Sequence, residues 1–139
     1  MKNVVITGSS RGIGFELVNL FNKNNYNVIA LSRNLSSISK LNLNNVSTFS
    51  TDLSDSSSIN KAVKFINNKF SSVDILINNA GKLINKPFIE TTKQDFISVY
   101  SVNVFGLAEL VRLLLPSFSD MSHIINISSI GGIAGSSKF

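Results

Sequence analysis

Apolar positions along this chain follow two rhythms. Short unbroken apolar runs recur at Val4-Val5-Ile6, Val28-Ile29-Ala30-Leu31, Ile75-Leu76-Ile77 and Ile124-Ile125, each bounded by Asn, Ser, Thr, Asp or Gly. Such runs read as buried strands. Between them apolar residues return at helical spacing: Ile13, Leu17, Leu20 and Phe21 fall on one helical face, and so do Ile59, Val63, Ile66 and Phe70. Five strands are predicted: one ending at Ile6, then Asn27 to Ser32, Val46 to Thr51, Val73 to Ile77, and His123 to Ser128. Asn24-Asn25 supplies the turn before the second. Asn34 to Asn45, rich in Ser, Asn and Leu, reads as a loop with a short helix. Asp52-Leu53-Ser54-Asp55 carries good N-cap residues for the helix that follows. Thr92-Lys93-Gln94-Asp95 matches a capping box with Asp in the place of Glu. It opens a long helix to about Leu115, where Pro116 stops it. Glycine-rich sequence ends the chain.

Strands that alternate with helices build β-α-β units and a parallel sheet. Unbroken apolar strands fit a sheet covered on both faces. Right-handed crossovers leave few topologies. The expected architecture is α/β, doubly wound, with strand order 3-2-1-4-5 and a ligand crevice beyond the strand C-termini. A length of 139 residues suits a single domain over 1–139.

Composition narrows the partners. The chain is 43% hydrophobic with ten Phe, enough for a real core. It has no Cys and one His, His123, so disulfides, thiolate metal sites and histidine clusters are out of reach. A reducing, cytoplasmic setting is expected. No apolar run in the linear sequence reaches the ~18 residues of a membrane span, and no signal-peptide core is visible. The net charge of +5 is scattered rather than striped. That argues against nucleic acid and suits a small phosphate-bearing ligand.

The stretch Val4 to Gly14 points to that ligand. A strand runs into Gly8, Gly12 and Gly14 and on into a helix. Free N–H groups and the helix dipole at such a start favour an anion, and glycines let backbone approach a pyrophosphate. The spacing Gly-x-x-x-Gly-x-Gly is longer than Gly-x-Gly-x-x-Gly, and taken alone it is also compatible with an ordinary strand-to-helix turn. Arg33 follows the second strand, where an NAD-binding protein would place an acid, and Leu31 to Ser39 contains none. A guanidinium there suits a ribose 2′-phosphate; Arg11 is a second candidate, and a solvated surface charge is the alternative for both. Asn103 has Val99, Tyr100, Gly106 and Leu107 as helical neighbours, so its amide is expected to be buried and to need partners.

Thr7-Gly8-Ser9-Ser10-Arg11-Gly12-Ile13-Gly14 and Asn78-Asn79-Ala80-Gly81 resemble the two signature motifs of the short-chain dehydrogenase/reductase family, in an NADP-preferring form. Asn103 and Ile127-Ser128-Ser129 match as well. The resemblance implies a Rossmann fold and hydride transfer between NADP(H), less readily NAD(H), and a carbonyl or alcohol. It implies that Thr7, Gly8, Ser10, Arg11, Gly12, Ile13 and Gly14 cradle the cofactor. By the same resemblance Asp52 and Leu53 meet the adenine, although Asp52 also suits a helix N-cap. Asn78, Asn79, Ala80 and Gly81 would line the ribose and steady the sheet. Asn103 would help hold a water in a proton relay, with a purely structural amide as the alternative. Ser129, chosen over Ser128, would bond the substrate oxygen, with an ordinary strand-end Ser as the alternative.

The family's proton donor is a Tyr with a Lys four residues on. Tyr26 is followed at that distance by Ala30 and Tyr100 by Val104, so neither fits. The resemblance therefore covers the N-terminal part of such an enzyme, without its last strands. A second class stays open: a non-catalytic nucleotide binder or short-form regulator of the same fold. The long helix is apolar well round its circumference, which suggests a homo-oligomer when intact.

Overall fold

The computed structural model describes residues 1–134; residues 135–139, the last of the glycine-rich end, lie outside the described residues. The elements run β1 (Asn3–Thr7), α1 (Gly12–Lys23), β2 (Asn27–Ser32), α2 (Ser36–Ser39), β3 (Val46–Ser50), α3 (Ser56–Lys69), β4 (Val73–Asn78), α4 (Lys93–Tyr100), a π-helical segment Ser101–Gly106, α5 (Leu107–Leu114), β5 (Phe118–Asn126) and α6 (Gly131–Ala134). The strands form one sheet in the order β3-β2-β1-β4-β5, every pairing parallel. This is the doubly wound, Rossmann-type order expected from the apolar runs.

The unbroken runs are explained by what lies above and below them. Val4, Ile6, Val28 and Ala30 pack with Val18 of α1 on one face. Val5, Ile29 and Leu31 pack with Ile59, Ile66, Leu110 and Leu114 of α3 and α5 on the other. Successive side chains point to opposite faces, so a strand apolar at every position is covered twice. Each such Val, Ile or Leu contributes roughly 1.5–3 kcal/mol relative to exposure. Asn25 takes a left-handed φ of 60° in the turn before β2, as that turn requires of an Asn.

Four expectations need correction. On α1 Leu17 and Phe21 pack against the core as expected, beside buried Gly14 and Val18, while Ile13 and Leu20 are exposed. Ile13 turns toward the open end of the sheet instead. Strand β5 begins at Phe118, five residues early, and ends at Asn126. Its pairing with β4 slips between Val73 and Ile75, whose partners are Phe118 and His123. That irregularity absorbs the polar stretch Ser119 to Ser122, hiding the strand from a pattern search. The long helix is not uniform: a π segment separates α4 from α5. Finally, the whole helical run Lys93–Ser117 is long and apolar enough to cross a membrane by length and composition. Charges at Lys93, Asp95, Glu109 and Arg112 break it up as linear sequence. Leu110 and Leu114 are buried, whereas Phe96, Ile97, Tyr100, Val104 and Phe105 are exposed.

The capping box is present. Asp95 N–H donates to Thr92 Oγ1 at 3.2 Å, and Thr92 N–H donates to Asp95 Oδ2 at 2.8 Å. Lys86 adds an ion pair to the same oxygen. The Lys86 ammonium, then the Thr92 donors, hold the Asp95 carboxyl down at about 2, against an ordinary 3.8. The folded-state value lies below the unfolded one. The cap's contribution is therefore present above about pH 4 and is lost as pH falls through about 2. An NMR titration of the Asp95 carboxyl should give a midpoint near the lower value, and Lys86→Met should move it upward. A midpoint near 3.8 in the unmodified protein would contradict the assignment.

Candidate nucleotide-binding site

The C-terminal ends of β1 and β4 are joined by a clasp of side chains. Buried Thr7 donates from Oγ1 to the Ile77 carbonyl at 3.3 Å and accepts from the N–H groups of Asn79 and Ala80 at 3.0 Å each. Asn79 answers with Nδ2, donating to the carbonyls of Thr7 at 3.1 Å and Gly8 at 3.0 Å. The two turns are held so closely that a Cβ on Gly8 would lie 2.7 Å from Ala80 Cα. Gly8 also adopts a φ of 67°, which favours glycine. A Cβ on Gly14 would meet the Gly8 carbonyl oxygen at 2.4 Å. Buried Ser9 ties the loop to β2, its N–H and Oγ both donating to the Leu31 carbonyl. Ser9 was not among the candidate residues; its position between two motif glycines was the only signal.

Beyond these turns lies a crevice of about 720 Å³, within the ~300–1,000 Å³ usual for small-ligand sites. Thr7, Gly8, Ser10, Arg11, Gly12 and Ile13 form one wall. Arg33, Asp52 and Leu53 form a second, and Asn79, Ala80 and Gly81 a third. Ser37, Lys82 and Val102, none named as a site residue from the sequence, are among the rest of its lining. The helix dipole of α1 points into this space. Arg11 at its N-cap makes no side-chain capping bond, and the first turn holds no acid. Its leading N–H groups are thus available to an anion.

Asp52 is half-buried and ionised. Ser54 donates to its Oδ1 from N–H at 2.9 Å and from the hydroxyl at 2.7 Å. Those bonds, with smaller help from the Arg33 and Lys82 charges, hold its carboxyl below the ordinary 3.8. Asp52 is not the cap of α3. That role falls to Asp55, which accepts from Ser57 and Ser58. Asp52 is left facing the crevice.

Three other candidates are placed differently from expectation. Asn78 does not line the crevice. It is 2% exposed and donates from Nδ2 to Asn126 Oδ1 at 2.8 Å, bridging β4 and β5. Asn103 is half-buried rather than buried, and the Lys82 backbone takes both ends of its amide: Lys82 N–H donates to Oδ1 at 2.7 Å, and Nδ2 donates to the Lys82 carbonyl at 2.9 Å. Its side chain acts as a brace. Ser129 lies past the end of β5, exposed, accepting from the Gly131 N–H at 3.2 Å. β5 stops at Asn126, two residues short of the predicted end, and Ser129 is not among the residues lining the crevice.

The residues fit a dinucleotide. The crevice joins an uncapped helix start, a tight glycine turn, the guanidinium groups of Arg11 and Arg33 and the ionised Asp52 carboxylate, which together match phosphates, ribose and a donor-bearing base. Among the described residues no cluster of metal-ligating side chains is present.

A family model described as short chain dehydrogenase matches residues 2–139. An uncharacterized oxidoreductase of Staphylococcus saprophyticus is 36% identical over 94% of this chain and 56% of its own length. A probable short-chain type dehydrogenase/reductase of Helicobacter pylori is 37% identical over 92% of this chain and 48% of its own. A crystal structure of a Brucella melitensis short-chain dehydrogenase/reductase, described as a glucose/ribitol dehydrogenase, superposes with a TM-score of 0.92 at 25% identity, covering 99% of this chain and 60% of that one. The chain spans about half the length of the curated relatives it matches.

Proposed function

We propose, since this chain belongs to the short-chain dehydrogenase/reductase family, that it forms the cofactor half of an oxidoreductase acting on a small carbonyl or alcohol with a preference for NADP(H). Such a cofactor supplies the hydride when bound. The glycine loop and the start of α1 hold its pyrophosphate, and Asp52 accepts a hydrogen bond from its adenine amino group. Arg33 carries the reading of cofactor choice. It stands on the crevice wall after β2, with no acid from Leu31 to Ser39 to repel a 2′-phosphate. Arg11 on the facing wall adds a second positive charge. Asn103 braces Lys82 at the inner end, where a substrate and a relay water would stand.

Arg33→Asp tests the preference. A hydrogen bond to a charged group contributes about 1.5–3 kcal/mol, so NADPH binding should weaken by roughly ten- to a hundredfold while NADH changes little. Equal affinity of the unmodified protein for the two cofactors, by fluorescence titration, would overturn the preference.

A non-catalytic nucleotide binder is the second reading, favoured by the place of Ser129 outside the crevice. Self-association belongs to the main proposal. Phe96, Ile97, Tyr100, Val104 and Phe105 leave a broad apolar face on the long helix uncovered. The same face is what makes the helix pass as a membrane span, and we assign it to a second copy of the chain. Sedimentation showing a clean monomer at micromolar concentration would count against that. A cytoplasmic setting is part of the same proposal, and fractionation of cells with an epitope tag checks it.

A further inference from the structure

The widened turn of the long helix has a specific neighbour. In the π segment Ser101–Gly106, a Cβ on buried Gly106 would lie 1.9 Å from the Leu53 carbonyl oxygen, 2.8 Å from its carbonyl carbon and 3.0 Å from its Cβ. No other glycine meets a neighbour so closely among the described residues. The helix backbone therefore rests directly on the loop after β3. Leu53 and its neighbour Asp52 form one wall of the crevice. A few residues earlier in the same segment, Asn103 grips the Lys82 backbone on another wall, and Val102 reaches the crevice between them. One short stretch of helix thus touches two walls and the floor.

We infer that Gly106 is a positioning residue for the nucleotide: its missing side chain lets the π segment seat the Asp52–Leu53 wall where the adenosine half lies. The inference rests on the nucleotide reading of the crevice and goes beyond it in naming what sets that wall. Gly106 never touches the ligand. A methyl group there cannot be absorbed by a flexible side chain, because the obstacle is the Leu53 backbone. The helix or the wall must move by more than an ångström to reach ordinary contact. π-helical turns inserted in α-helices recur at functional sites, and here the turn brings backbone against backbone. The glycine loop, held by Thr7 and Asn79 on the far side, has no contact with Gly106 and should keep its own anion site.

The test uses Gly106→Ala in the full-length protein, with two ligands that probe the two ends separately. 2′,5′-ADP carries the adenine and both ribose phosphates; inorganic pyrophosphate probes the glycine loop alone. Calorimetry should show 2′,5′-ADP binding weakened about tenfold or more, with pyrophosphate within about twofold of the unmodified protein. Unchanged 2′,5′-ADP affinity overturns the inference, and so does an equal loss for both ligands. If the unmodified protein binds pyrophosphate but neither 2′,5′-ADP nor 5′-AMP, the nucleotide reading itself fails, and the inference with it. Should Gly106→Ala not fold, the unmodified protein decides by NMR. The amide signals of Leu53 and Gly106 should shift together on adding 2′,5′-ADP and stay still with pyrophosphate; a silent Gly106 signal overturns the inference.

Discussion

Gly14→Ala should abolish nucleotide binding, with an affinity loss of about a hundredfold or more, whereas Gly12→Ala should cost far less. Both glycines belong to the same loop, but they are needed for different reasons. A Cβ on Gly14 would stand 2.4 Å from the Gly8 carbonyl oxygen and 2.5 Å from Asn79 Nδ2. Gly8 has little room to retreat, because the Ala80 backbone fills the space where its own Cβ would stand. Asn79 cannot swing away without breaking its bonds to the Thr7 and Gly8 carbonyls. The start of α1 must then lift off the end of the sheet, taking its anion-binding N–H groups with it. Losing two charge-assisted hydrogen bonds at about 1.5–3 kcal/mol each gives the hundredfold figure. Gly12 has nothing within 4 Å of its missing Cβ and only its φ of 56° to maintain. A single left-handed residue costs roughly 1–2 kcal/mol. Titration of both variants with NADPH, beside their thermal melts, separates the two effects. Gly14→Ala binding as tightly as Gly12→Ala would show that the loop is not clamped as described.

The contrast between those glycines marks where sequence reading stopped. The strand order was legible because runs such as Val28 to Leu31 admit few structures other than a sheet covered on both faces. The loop was legible because glycine spacing is a local property. What Gly14 touches is not local: Gly8 and Asn79 come from two different turns, and only the fold brings them together. Gly106 is the plainest case. In the sequence it is one apolar-face neighbour of Asn103, with no cue that Leu53, more than fifty positions earlier, lies against it. Asn78 and Asn79 are adjacent and identical, yet one faces Asn126 and the other the glycine loop. Strand alternation predicts that they diverge but not which partner each finds. Ile13 carries two signals at once. Its helical phase points to the core, whereas the glycine motif around it points to the ligand, and the structure sets it at the rim of the crevice. Asp52 and Arg33 could be placed on the crevice wall because their positions follow from the ends of β3 and β2, which the apolar runs marked. Ser129 was tied to a strand end too, but β5 closes at Asn126, two residues sooner than predicted.

Residues 1–139 alone should not turn over carbonyl substrates, even if they bind NADPH. Hydride arriving at a carbonyl carbon leaves negative charge on its oxygen, and a proton must be delivered there. A positioned acid typically contributes 10²–10⁴-fold, on the order of 3–5 kcal/mol of barrier. Nothing on the described crevice wall fills that role. Tyr26 packs edge-on against Phe21 with ring centroids 4.9 Å apart, and Tyr100 sits beside Phe105 at 6.1 Å. Neither tyrosine lines the crevice. Ser129 is a hydroxyl of high pKa held by the Gly131 N–H outside it. Lys82 does line the crevice, with its ammonium donating to the Ser98 hydroxyl, but no tyrosine stands beside it there. The apolar flank compounds the deficit. Ile124 and Ile125 lie on the edge strand of the sheet and are partly exposed, with unpaired backbone groups that invite aggregation. The decisive assay expresses residues 1–139 and follows NADPH oxidation over a panel of ketones and aldehydes. A family member carrying the Tyr-x-x-x-Lys pair runs beside it at equal concentration. Light scattering of the same samples reports association. The expected result is a rate at least a hundredfold lower than that of the comparison enzyme, in material that aggregates on standing. Soluble, monodisperse protein with comparable reductase activity would mean that a proton donor exists in this chain that neither its sequence nor its crevice reveals.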